Sequence, residues 1–530
     1  MSGWKTWSTS HSQRNPPTKP ALLPLPEQAL YLTVYLAAPL DNRGHPILQL
    51  LSKGGEKQAA SSCGHDDHTI EVVPLSDRRG PVTMGLLWIT MVTGFPTVLI
   101  GFEWYKAGLT LGQVLPCVLV SCLVLLAYSI PASCLGSSSG QTYSLLSRSI
   151  FGAWGSKIVS SNLVWVSIAW YGLTANFLAE GLKGLYHIDI PTIWLSGALA
   201  IVMAFNNFFG FSGIANFARY LAAPVLIVWV GLTFFKAAAA CPPTVFAMAP
   251  HQTFTQALTL VSAFVVGYGV WGNEPDYWRY GKPGSWHSSI PLIFALLIGQ
   301  VLFPVTGWMM AYLTGITDMA AATNLMNRYA FGGISLLGAI VLIVTYFAVN
   351  DSGLYGAING VENIKPLPRK KVVAALGIAG ALAAAWLAGN AHAFELVATT
   401  SSIVIPSTTV IMLSEYFLIQ SRLERTRNFA AVADFQKLPR LRWSALVALA
   451  VGWTIGFITS GLIPGLESMH VGVCSLQCWL TCLVVYIALR LPEKAESLFE
   501  QREFLEKLLE NSDGLPATLP LPGASDQAPE

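Results

Sequence analysis

Asp351 stands in the run Val349-Asn350-Asp351-Ser352-Gly353, deep within an apolar stretch of the 530-residue chain. An ionisable group at such depth is costly and marks function. A buried carboxyl disfavours its charged form and can take up and release a proton. Asn350 and Ser352 beside it offer polar contacts to a ligand. Trp170-Tyr171-Gly172 lies in the middle of another apolar stretch, far from either end, where a large π-face suits stacking on a flat molecule. Two further stretches are interrupted, one by Gly94-Phe95-Pro96-Thr97 and one by Gly267-Tyr268-Gly269. The second interruption is followed by Trp271-Gly272-Asn273-Glu274-Pro275-Asp276. Broken membrane helices present freed backbone groups to a cavity, where they meet ions and substrates. Glu274 and Asp276, beside Arg279 and Lys282, read as gate or helix-end charges.

No catalytic constellation accompanies these residues. The histidines are scattered, and only His65 and His68 pair, in the run Cys63-Gly64-His65-Asp66-Asp67-His68 near the N-terminus, without a second ligand cluster. Cys474, Cys478 and Cys482 recur every four residues and read as small packing residues on one helix face. No metal site and no enzyme are expected, and a net charge of +2 gives no reason to expect a nucleic-acid partner.

These residues need a membrane-embedded frame to position them. The chain is 53% hydrophobic and 11% charged, against about 25% charged in soluble domains. A spanning helix needs about 20 apolar residues. Such stretches occur near 82–104, 112–134, 157–182, 191–210, 215–238, 255–276, 287–314, 332–358, 372–390, 394–419, 442–463 and 473–491. The expectation is an all-α integral membrane protein with about twelve transmembrane helices. Lys and Arg gather in alternate loops, at Arg148, Lys157, Arg219, Arg279, Lys282, Lys365 and Arg369–Lys371, and after the tenth stretch. The other loops hold Lys106, Lys183, Lys236 and Arg328. The positive-inside rule then puts both termini in the cytoplasm. Residues 1–77 read as a disordered cytoplasmic tail, 78–491 as the transmembrane domain and 492–530 as a second tail. Pro492–Glu510 reads as an amphipathic helix within that tail. The two interruptions open corresponding halves, about 80–240 and 254–420, as inverted repeats would, with two further helices over 442–491.

The motifs resemble those of the nucleobase–cation symporter family. The pieces are Val73-Pro74-Leu75-Ser76-Asp77-Arg78-Arg79, Arg148-Ser149-Ile150-Phe151-Gly152-Ala153-Trp154-Gly155, and Trp170-Tyr171-Gly172. Then come Pro275-Asp276-Tyr277-Trp278-Arg279-Tyr280-Gly281, Asn350-Asp351 with Leu354-Tyr355, and Ile405-Pro406 with Ser414-Glu415-Tyr416. They fall in order from Val73 to about Arg490.

The resemblance implies a LeuT-like core of two inverted five-helix repeats plus two C-terminal helices. It implies symport of a planar heterocycle with Na⁺ or H⁺, with no other cofactor. Trp170 would stack on the base. Thr174, Gly267, Tyr268, Gly269, Asn350 and Ser352 would meet its edge. Gly94 and Thr97 of the first break, with Asp351, would serve cation coupling, and Glu274, Asp276 and Arg279 the gate. Sodium-coupled relatives carry hydroxyls just before the eighth-span Asn. Ala348 and Val349 stand there in this chain, which favours H⁺. Cytosine or a purine is the expected cargo, with allantoin or hydantoin, uracil and thiamine precursors as alternatives. An amino-acid carrier of the same core or a non-transporting sensor is the more distant reading. The expected membrane is the plasma or bacterial inner membrane, with an organelle envelope as the alternative; the oligomeric state is not legible.

Overall fold

The computed structural model describes residues 67–512 apart from 318, 391 and 424–430. The expectations for 1–66 and for 513–530, and the Cys63–Asp66 part of the histidine run, lie outside the described residues.

Each predicted stretch corresponds to a helix or a broken helix. The first span is α1 (Pro81–Val92) and α2 (Phe95–Lys106), bent by 48° at the expected break. Next come α3 (Leu111–Ser139) and α4 (Tyr143–Tyr186). The predicted third span was shorter; α4 also takes in Arg148–Gly155, with a kink at Gly152. The fourth and fifth spans form one apolar run, Thr192–Ala240, of 49 residues. At 1.5 Å per residue it would reach about 74 Å, far beyond a bilayer core of about 30 Å. It is broken instead. α5 (Thr192–Met203) ends in a 3₁₀ turn over Ala204–Phe209, and Gly210, at φ 67° and ψ −160°, breaks the helix ahead of α6 (Gly210–Phe217) and α7 (Ala223–Ala240). Only glycine adopts that conformation readily.

The second half repeats the pattern. α8 (Phe254–Gly269) breaks before α9 (Pro275–Trp278), and α10 (Ser285–Leu296) continues through a π turn into α11 (Phe303–Thr314). α12 (Met319–Tyr329) caps the next loop, which the sequence reading left without a helix. Its buried Ala322 and Met326, spaced by four, were the available signal. α13 (Ser335–Ile364), α14 (Arg369–Leu387) and α15 (Ala393–Leu413) follow. α16 (Trp443–Ile458) and α17 (Cys474–Ser512) complete the chain, and α17 runs unbroken through the stretch predicted as an amphipathic tail helix.

Packing sorts the spans into two groups. α1 lies on α10, α2 on α11 and α3 on α8. α13 lies on α4, and α14 on α4 and α5. The cysteine stripe packs as expected: Cβ atoms added at Gly452 or Gly456 of α16 would meet Cys482 or Cys478 of α17.

Candidate substrate site

A cavity of about 110 Å³ lies where both helix breaks meet α4, α13 and α15. Gly94 and Thr97 line it from the first break, Trp170 and Thr174 from α4, Trp271 and Asn273 from the second break, and Asn350 from α13. The sequence expectation thus placed Gly94, Thr97, Trp170, Thr174 and Asn350 around one space.

The first break leaves the last carbonyls of α1 without helical partners. Trp271 Nε1 donates to the Met91 carbonyl at 3.1 Å, and Gln300 Nε2 to the Val92 carbonyl at 3.0 Å. Side chains from the sixth and seventh spans therefore satisfy backbone groups freed in the first. Thr97 Oγ1 accepts from the Gly94 amide at 3.2 Å, so this hydroxyl caps the start of α2.

The second break lies further along the chain than the sequence placed it. Gly267 and Gly269 are helical residues of α8, and the chain opens at Val270–Glu274. The side chain of Tyr268 is outside the described residues. Gly272, at φ 87°, is the pivot; a Cβ there would lie 2.7 Å from Ile405 Cγ2 and from the Pro406 nitrogen. Thr409 Oγ1 donates to the Gly272 carbonyl, and Tyr128 Oη lies 3.2 Å from the same oxygen. Glu274, fully buried, accepts from the Gly272 amide at 3.2 Å and from Tyr128 Oη at 3.0 Å. Both of these partners lie outside α9, so the side chain ties the broken segment to α3. Glycine richness around 267–269 drew the sequence reading; the requirement for positive φ falls at Gly272.

On α13, three consecutive residues point to different neighbours. Asn350 Oδ1 accepts from Thr174 Oγ1, and Asn350 Nδ2 donates to the Tyr171 carbonyl at 3.3 Å. Asp351 is buried and takes hydrogen bonds from Asn206 Nδ2 at 2.5 Å and Asn207 Nδ2 at 3.5 Å, at the end of the fourth span. The carbonyl of Ser352 accepts from Tyr277 Oη at 2.7 Å, while its buried Oγ has no hydrogen-bond partner among the described residues. Neither Asp351 nor Ser352 lines the cavity. Gly172 serves packing rather than the ligand, since a Cβ there would meet Ala383 and the Ala384 nitrogen of α14.

The three gate candidates have largely different partners. Asp276 Oδ1 accepts from the Tyr143 amide at 3.0 Å and Oδ2 from Asn273 Nδ2 at 2.9 Å. Arg279 Nε reaches the Asp276 carbonyl at 3.2 Å, and its Nη2 donates to Tyr355 Oη at 2.6 Å and the Asp67 carbonyl at 2.9 Å. Residues from Asp67 on, assigned to the tail, thus lie across this end of the molecule. Asp67 pairs with Arg369 at 2.8 Å and accepts from the Phe211 amide at 3.0 Å and from Tyr280 Oη at 3.0 Å. Arg78 donates from Nε to the Val73 carbonyl at 3.2 Å, and burial holds its guanidinium below the usual value. Reading by sequence missed the contacts of Asp67, and missed Phe394 and Ser401 of α15, which line the cavity with Asn273 and Ile405.

Comparison with known proteins fits this architecture. The family model for permeases of cytosine/purines, uracil, thiamine and allantoin matches residues 73–478. The chain belongs to that family of membrane transporters. It is 22% identical over 437 residues to a putative purine-cytosine permease, YxlA, of Bacillus subtilis (strain 168), covering 75% of this chain and 89% of that protein. It is 24% identical over 312 residues to the purine-uracil permease NCS1 of Arabidopsis thaliana, covering 52% of this chain and 50% of that one. Among solved structures it resembles Mhp1, a nucleobase-cation-symport-1 family transporter captured closed with bromovinylhydantoin bound. The TM-score is 0.62 at 19% identity, over 82% of this chain and 97% of that one.

Proposed function

We propose that this chain imports a nucleobase or closely related planar heterocycle, cytosine or a purine first, together with a proton. One observation carries the reading. The cavity at two helix breaks receives indoles from Trp170 and Trp271 and an amide–hydroxyl pair from Asn350 and Thr174. Aromatic faces with a few fixed polar groups suit a flat ring with donors and acceptors on its rim. The printed cargoes of the relatives, purine with cytosine or uracil, point to the same class. Allantoin or hydantoin, uracil and thiamine precursors are the alternatives within the family.

For the coupling ion, the donor set favours H⁺ over Na⁺. A hard cation needs several oxygen ligands. Ala348 and Val349 supply none from their side chains. Asp351, held by two carboxamides, is the proton-carrying candidate. The loop charges favour both termini in the cytoplasm, and the host is a plasma or bacterial inner membrane, with an organelle envelope as the alternative.

Equilibrium binding of tritiated cytosine and adenine to the detergent-purified protein tests the reading. Saturable binding is expected, abolished in Trp170→Ala and partly kept in Trp170→Phe. Stacking contributes on the order of 0.5–1.5 kcal/mol beyond burial. Wild-type affinity in both variants would remove Trp170 from the site. Saturable binding of allantoin, uracil or thiamine instead would select an alternative cargo.

A further inference from the structure

The polar side chains around the cavity divide into those already engaged within the protein and those left over. Thr97 caps Gly94, and the Trp271 N–H is given to Met91. Thr174 donates to Asn350, whose own amide donates to the Tyr171 carbonyl. Asn273 Nδ2 is given to Asp276. A carboxamide fixed in this way presents its donor and acceptor in set directions and cannot turn freely toward a ligand.

Ser167 and Ser401 also line the cavity, and neither hydroxyl makes a hydrogen bond to the protein among the described residues. Ser167 precedes Trp170 by one turn of α4, and Thr174 follows one turn later, so the three share a helix face. Ser401 lies two turns along α15 from Phe394, whose ring meets Trp170 edge-on at 6.2 Å. A serine hydroxyl is one donor and two acceptors on a rotor. It can face an exocyclic amino group as acceptor or an oxo group as donor at similar free energy. A carboxamide held in place cannot make that exchange, and a site built on such groups rejects a mismatched rim strongly.

We propose that Ser167 and Ser401 read the edge of the ring, and that this transporter therefore accepts both members of an amino/oxo pair, cytosine with uracil and adenine with hypoxanthine. This rests on the proposed nucleobase function and adds a specificity to it.

Competition in proteoliposomes tests it. Uptake of radiolabelled cytosine and of radiolabelled adenine is measured against all four unlabelled bases. Inhibition constants within each pair should agree within about tenfold. Ser167→Ala and Ser401→Ala should each weaken both members of a pair by about twofold to tenfold, the range of one lost neutral hydrogen bond. Ser167→Thr and Ser401→Thr keep the hydroxyl and should restore binding, which separates a lost contact from a misfolded variant. A preference above about a hundredfold within either pair would overturn the proposal, as would alanine variants with unchanged constants. Absence of uptake and of competition by every base would instead overturn the nucleobase reading itself.

Discussion

The Thr174 hydroxyl donates to the Asn350 carboxamide oxygen across the cavity wall, tying the third span to the eighth. The bond sets which way Asn350 presents its two ends. Replacing Thr174 with Val keeps the shape and removes the donor, so the carboxamide oxygen is freed while Nδ2 keeps the Tyr171 carbonyl. Discrimination between cytosine and uracil should then shift by about tenfold, as expected when a buried polar group gains or loses a partner. Thr174→Ser should leave the ratio as it is. The ratio of inhibition constants is the measurement, and an unchanged ratio in the Val variant would place Asn350 away from the ligand.

The pivot of the second break is Gly272, not the glycines before it. Gly272→Ala forces a side chain into a positive φ at 87° and against Ile405 and Pro406. The backbone cost alone is about 1–2 kcal/mol. Gly267→Ala sits in a helix with nothing within 4 Å of the new Cβ. The thermal midpoint in detergent should fall clearly for Gly272→Ala and hold or rise for Gly267→Ala. The reverse order would return the break to 267–269.

Asp67 gathers Arg369, the Phe211 amide and Tyr280 at one end of the molecule. Both side chains of the ion pair are largely buried, at 10% and 16% exposure. Asp67→Ala strands the Arg369 charge, a loss in the range of about 1.5–3 kcal/mol for a charged hydrogen bond. Asp67→Asn keeps the neutral contacts and should lose less. Thermal melts of the two variants decide this; equal losses would assign the whole effect to the charge.

Much of the frame was legible because bilayer thickness imposes a length and hydropathy on every span, and each predicted stretch was met by a helix or a broken one. The break at Gly210 was anticipated by the gap between two apolar runs. The helix breaks were legible to within a few residues. At the first, Gly94 and Pro96 give an unambiguous signal. At the second, Gly267, Gly269 and Gly272 all qualify by composition, and only the tertiary fit against Ile405 and Pro406 selects one. Contacts between distant residues were not legible. Nothing in the sequence near Asp67 announces Arg369, and nothing near Asp351 announces Asn206, because such pairings arise from packing of whole helices. Ser401 escaped notice, and nothing set Ser167 apart as unbonded, because serines are common small residues in membrane helices. Their distinction lies in the bonds they do not make within the protein.

The central claim is proton-driven carriage of a planar base, and accumulation in proteoliposomes under an imposed pH gradient tests it most directly. With an acidic outside and no sodium, radiolabelled cytosine or adenine should accumulate above its external concentration and run down when the gradient is collapsed. Asp351→Asn should lose this accumulation while still exchanging internal for external base, because the cavity lined by Trp170 and Asn350 does not include Asp351. Strict dependence on a sodium gradient, or full proton-driven accumulation by Asp351→Asn, would contradict the account.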